Sequence, residues 1–138
     1  MDARHEYTLC INHSDYLVLR SRLRSTLKHD KNVNKNGEYI IRSLYFDTPG
    51  DTALREKIDG VAKREKYRLR FYNDDTEFIR LEKKSKNNNL CYKVQEDVSN
   101  KEVKKMLCRN YDWMADESRP LVTELYSKIK GQMLQPKT

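Results

Sequence analysis

The segment Lys66-Tyr67-Arg68-Leu69-Arg70-Phe71-Tyr72 alternates cationic and apolar side chains without a break until its last residue. That period of two defines a β-strand with one buried and one open face. Lys66, Arg68 and Arg70 share one side, and Tyr67, Leu69 and Phe71 the other. Asn73-Asp74-Asp75 is a turn signal after it. A second strand over Glu77–Lys84 places Arg80, Glu82 and Lys84 opposite Ile79 and Leu81. After a loop over Ser85–Asn89, a third strand over Leu90–Asp97 sets Lys93 and Gln95 against Tyr92 and Val94. Connections this short make the neighbours antiparallel. If the apolar sets pack under helices, the charged sets meet on one face.

The flanking segments supply the rest of the layers. Arg4–Asn12 alternates loosely through Tyr7, Leu9 and Ile11 and is a further strand, whose Glu6 and Thr8 side can join the charged face. Ser14 caps a helix in which Tyr16, Leu19, Leu23 and Leu27 recur at helical spacing among Arg20, Arg22, Arg24 and Lys28. Residues 29 to 38 form a loop. Tyr39–Asp47 is a strand closed by Thr48-Pro49-Gly50, and Asp51–Ile58 is a short helix stopped by Asp59-Gly60. Ser99 and Glu102 form a capping box before a helix carrying Val103, Met106 and Leu107. Asp116 or Ser118 caps a last helix with Leu121, Leu125 and Ile129 inward and Gly131 at its end. Gln132–Thr138 carries no clear element. The fold class is therefore α+β, an antiparallel sheet with flanking helices, and 138 residues make one domain or part of one.

The formal charge of +7 favours an anionic partner without choosing among nucleotide, polyphosphate, nucleic acid and membrane surface. Cys10, Cys91 and Cys108 form no CxxC pair, so small buried hydrophobes are expected in place of a metal site or disulfide. His5, His13 and His29 lack metal spacing. With no signal peptide and no long apolar run, the expected location is cytoplasmic, with membrane contact only through other subunits or segments.

A sheet face crowded with cations is self-repelling and needs open water or a bound anion. Arginine forks grip phosphate oxygens bidentately, and lysine adds mobile point charge. Glu82 among them either pairs with the cations or holds Mg²⁺ or Mn²⁺ beside a phosphate. A solvated face is the plain alternative. No Gly-rich phosphate loop and no nucleophilic triad is present.

Arg4-His5-Glu6, Ser43-Leu44-Tyr45-Phe46-Asp47-Thr48, Tyr67-Arg68-Leu69-Arg70-Phe71-Tyr72 and Leu81-Glu82-Lys83-Lys84, in this order over about residues 4 to 134, resemble the VTC (vacuolar transporter chaperone) domain. That domain is the polyphosphate polymerase branch of the triphosphate tunnel metalloenzymes. The resemblance implies a closed tunnel of antiparallel strands holding a triphosphate with Mn²⁺ or Mg²⁺. In that branch the γ-phosphate of ATP passes to a growing polyphosphate chain.

By position, the resemblance makes Arg68, Arg70 and Lys84 phosphate ligands, with Lys57 and Lys93 further candidates. Lys66 and Arg80 join them on the strand faces. Glu82 and Glu6 are the candidate metal ligands. Where the family pattern is Glu-x-Lys-Tyr, this chain has Glu6-Tyr7-Thr8-Leu9, so the first-strand lysine is replaced by Thr8. The family domain is longer, so the chain is expected to be its N-terminal half, with ATP, polyphosphate or inorganic phosphate or sulfate as ligands. Turnover is expected only from the intact protein, and half a tunnel implies homodimer contacts through the exposed sheet. A tunnel-type triphosphatase and a non-catalytic polyanion or nucleic-acid module are the alternatives. Nucleic acid is not preferred, because Tyr67 and Phe71 point away from the basic face and cannot stack on bases there.

Overall fold

The computed structural model describes residues 3–137. Six strands make one antiparallel sheet in the order β1-β5-β4-β3-β2-β6. They are β1 Arg4–His5, β2 Ile41–Asp47, β3 Lys63–Tyr72, β4 Ile79–Asn87, β5 Leu90–Val98 and β6 Gln135–Lys137. The helices are α1 His13–Thr26, α2 Thr52–Ile58, α3 Asn100–Leu107 and α4 Pro120–Gln132, with a 3₁₀ turn at Asp112–Met114. The α+β class holds. The sheet is open, with short strands β1 and β6 at its two edges, so the described residues form no closed tunnel.

The alternation in β3 has the predicted consequence. Tyr67 and Leu69 are buried, and so are Ile79 and Leu81 from β4 and Phe46 from β2. They pack with Met106 of α3, Met114 of the 3₁₀ turn, and Leu121, Val122, Leu125 and Ile129 of α4. Each such side chain contributes roughly 1.5–3 kcal/mol on burial. The helices α3 and α4 thus cover one face of the sheet and leave the cationic face free of them. Arg119 fastens their starts together: it bridges Glu102 and Glu117 and donates to the Asp97 carbonyl at 2.8 Å. The capping box at Ser99 and Glu102 forms as expected.

Several boundaries differ from the sequence reading for local reasons. The first strand is Arg4–His5 and does not run to Asn12. Arg4 pairs with Cys91 and His5 with Leu90, so the next residue would need a partner in the β4–β5 turn, where the ladder has ended. That turn is also tighter than Ser85–Asn89. Pairing continues to Asn87 opposite Leu90, and Asn88 takes the left-handed conformation at φ 53°. The strand before it starts at Ile79, not at Glu77.

Asn12, not Ser14, caps α1, its side chain accepting from the Asp15 N–H at 2.8 Å. Helix α2 starts at Thr52, and the carboxylate of Asp47 caps it from the end of β2. Oδ1 accepts from the Ala53 N–H at 2.9 Å and Oδ2 from the Leu54 N–H at 3.1 Å. Neither Asp116 nor Ser118 caps α4: Arg119 precedes Pro120, whose fixed φ suits the first helical position. Gly131 stays helical, and the left-handed residue that closes α4 is Met133, at φ 57°. The tail then pairs with β2, Phe46 opposite Pro136, so Gln135–Lys137 is a strand; Thr138 lies outside the described residues. Helix α1 forms at the predicted place, yet every one of its residues is exposed, so its apolar stripe packs on nothing within the described chain.

Candidate functional site

Strand register organises the free face into rows. Lys66 of β3 lies opposite Lys84 of β4, which lies opposite Lys93 of β5. Adjacent strands are about 4.8 Å apart, so three ammonium-bearing residues span roughly 10 Å of sheet. The next row is Tyr45, Arg68, Glu82 and Gln95, and the third is Ser43, Arg70, Arg80 and Asp97. Like charges directly opposite each other destabilise a ladder. Here lysine faces lysine twice and arginine faces arginine once.

The middle row holds the counter-charge. Glu82 is buried at 2% exposure beneath the face. Arg68 donates to its Oε2 through Nε at 2.8 Å and Nη2 at 2.7 Å, and Lys93 Nζ reaches its Oε1 at 2.7 Å. Burial pushes the Glu82 carboxyl up, but the Lys93 and Arg68 donors outweigh it and hold the acid below its ordinary range. Arg68 is also fixed from the other side, where Nη1 donates to the Tyr45 hydroxyl at 3.1 Å. Arg70 Nε donates to Ser43 Oγ at 3.0 Å, and Arg80 reaches Asp97 at 3.5 Å.

In the lysine row Lys93 shares Glu82 with Arg68. Lys84 pairs with Glu6. Among the described residues no carboxylate lies within 4.0 Å of Lys66, Lys57 or Arg70. Lys66 sits over the Tyr45 ring, 5.5 Å from its centroid. Burial lowers its pKa, and the charges of Lys57, Arg68 and Lys84 lower it further, against an opposing pull from Tyr45. A cavity of about 250 Å³ beside this row is lined by Lys57 of α2, Arg64, Lys66, Lys84 and Lys86, with Glu6 and Thr8 also on its wall.

The structure thus brings Lys57, Lys66 and Lys84 into one cavity and puts Arg68, Arg70, Arg80 and Lys93 on the sheet beside it. Sequence reasoning missed Tyr45 and Ser43. The signal is present in β2, where Ser43 and Tyr45 alternate with the inward Leu44 and Phe46.

The two candidate metal ligands are engaged elsewhere. Both Glu82 oxygens accept from cations, and Glu6 pairs with Lys84. Among the described residues no three His, Cys, Asp or Glu side chains are grouped for a metal ion. This donor set does not fit a divalent ion held by protein carboxylates, which needs several free oxygens.

An open antiparallel sheet with helices on one face and opposed cations on the other defines an α+β domain with a cationic sheet face. The model of the VTC domain matches residues 3–138, and the chain belongs to that family. No curated protein sequence matches the chain significantly. Among the described residues no helix is long and apolar enough to cross a membrane.

Proposed function

We propose that the cationic face binds the triphosphate of ATP and polyphosphate chains, as part of a domain that transfers the γ-phosphate of ATP to polyphosphate. The observation that carries this reading is the row Lys66–Lys84–Lys93, where three cations face one another across adjacent strands. Lys84 and Lys93 each pair with a carboxylate and Lys66 with none among the described residues, so the row keeps an excess of positive charge that a polyvalent anion lying along it neutralises. Membership of the VTC family supports the same ligand class.

The chemistry asks little covalent work of the protein. Phosphoryl transfer rests on positioning and on neutralising charge at the transferred group. Lys57, Lys66 and Arg70 offer donors not spent on carboxylates. Arg68, held by Glu82 and Tyr45, is pre-oriented and presents a fixed positive edge. The Mn²⁺ or Mg²⁺ expected from the resemblance would find no free carboxylate at Glu82 or Glu6.

The binding test is calorimetric titration with polyphosphate. Arg70→Ala combined with Lys66→Met is the cleaner probe, because neither side chain supports Glu82. The expected result is loss of detectable binding with an unchanged circular dichroism spectrum; unchanged affinity refutes the reading. For the intact protein, incubation with ATP and Mn²⁺ separates the chemistries: long polyphosphate marks the polymerase, and free phosphate marks a triphosphatase.

A further inference from the structure

Glu6 stands where the cavity needs an anion. Its carboxylate pairs with Lys84 and lines the same cavity as Lys57, Lys66 and Lys86. The other acid on that wall, Glu65, is committed to Lys83 and Lys128. Lys84 lowers the Glu6 carboxyl pKa by hydrogen bond and by charge, so Glu6 is a full anion at neutral pH.

The backbone carrying Glu6 is lightly held. The β1 ladder ends one residue earlier, at His5, and residues 6 to 11 are exposed with no regular structure. Glu6 can therefore leave Lys84 without breaking a strand ladder. The pair is itself half open to water, with side-chain exposures of 27% for Lys84 and 43% for Glu6.

We propose that Glu6 is an affinity-determining residue that occupies Lys84 in place of phosphate and must be displaced when a polyphosphate enters the cavity. This rests on the phosphate-binding reading of the face. A single carboxylate on a short, loosely anchored segment loses to a multivalent chain that meets Lys57, Lys66 and Lys84 together. It competes better against a ligand with one or two phosphates.

The test is a double-mutant cycle read by calorimetry with tripolyphosphate. Glu6→Gln removes the competing charge from a half-exposed position that supports no core contact. The expected gain in affinity is about two- to fivefold, the range set by a partly exposed ion pair. In a Lys84→Met background the same Glu6→Gln change gives no gain. The proposal is overturned if Glu6→Gln leaves affinity unchanged or weakens it. It is equally overturned if the gain persists without Lys84, which would make it a general charge effect. Those failures leave wild-type binding of tripolyphosphate intact. If the wild-type chain does not bind tripolyphosphate at all, the reading of the face falls first and Glu6 with it.

Discussion

Lys83 and Lys84 are neighbours in β4 and live in opposite electrostatic worlds. Lys83 points under α4, where it meets Glu65 at 3.1 Å and Glu124, while Lys128 of α4 also pairs with Glu65. Tyr67 completes the cluster by donating its hydroxyl to Glu124 at 2.7 Å; burial and that acid push its phenol pKa up, so it stays a neutral donor. Here cations and carboxylates are matched, and the network ties α4 to the sheet. On the other face Lys84 is flanked by Lys66 and Lys93 across the strands, and among the described residues Glu6 is its acid partner. A solvated sheet face would disperse its charges. Here Lys66 and Lys84 line a cavity together with Lys57, while the opposite face shows that the same strand can balance charge where the fold requires it.

The contrast can be broken at several points. The largest effect is expected from Glu82→Ala, which leaves Arg68 and Lys93 without their shared counter-ion and costs about 3–5 kcal/mol of stability. Polyphosphate added to this variant should restore more thermal stability than it adds to wild type, measured by calorimetric melting. Equal shifts would mean the face gains nothing from an anion. Leu125→Ala in α4 provides the opposite control. It should cost about 2–5 kcal/mol through the cavity it leaves, with no change in polyphosphate affinity of the folded protein. A smaller change is expected from Arg70→Ala, which removes a charge-assisted donor and should weaken polyphosphate binding roughly tenfold. Its effect on melting should be slight, since among the described residues Arg70 pairs with Ser43 and with no acid.

The smallest effect lies in acid. Burial raises the carboxyl pKa of both Glu82 and Glu65, but cationic donors on each face win and lower it from 4.5. The unfolded chain therefore binds more protons than the folded one just below pH 4.5. Stability from these pairs is complete above that value and is lost as pH falls through the lowered folded values. Glu82→Gln should flatten part of the acid limb of a stability curve, and an unchanged slope would show that the Glu82 pairs contribute nothing there.

Much of this was legible from alternation alone. The period of two in β3, β4 and β5 assigns Lys66, Arg68, Arg70, Arg80, Glu82, Lys84 and Lys93 to one face without any coordinates. Register was not legible, because the length of the β4–β5 turn decides which residues oppose each other. Counting Ser85–Asn89 as loop hides the fact that Lys84 faces Lys93. Nor could the strand pattern of Arg4–Asn12 reveal that its partner strand ends at Leu90. Tyr45 carries no charge and so does not stand out on the face, yet its cross-strand position beside Arg68 gives that guanidinium a second anchor besides Glu82. Asp47 caps α2 from across the Thr48-Pro49-Gly50 turn, six and seven residues ahead of the N–H groups it accepts from, beyond the usual capping spacing, and α2 in turn delivers Lys57 to the cavity.

The most direct measurement is a comparison of polyphosphate affinity for Lys84→Met and Lys83→Met by calorimetric titration at fixed ionic strength. Both remove one positive charge from β4, at adjacent positions. Loss of a charge-assisted phosphate contact makes Lys84→Met weaker by about tenfold or more, whereas Lys83→Met loosens α4 and leaves affinity unchanged. Equal weakening by both substitutions would show that only net charge matters, and would contradict the assignment of the site to the Lys66–Lys84–Lys93 face.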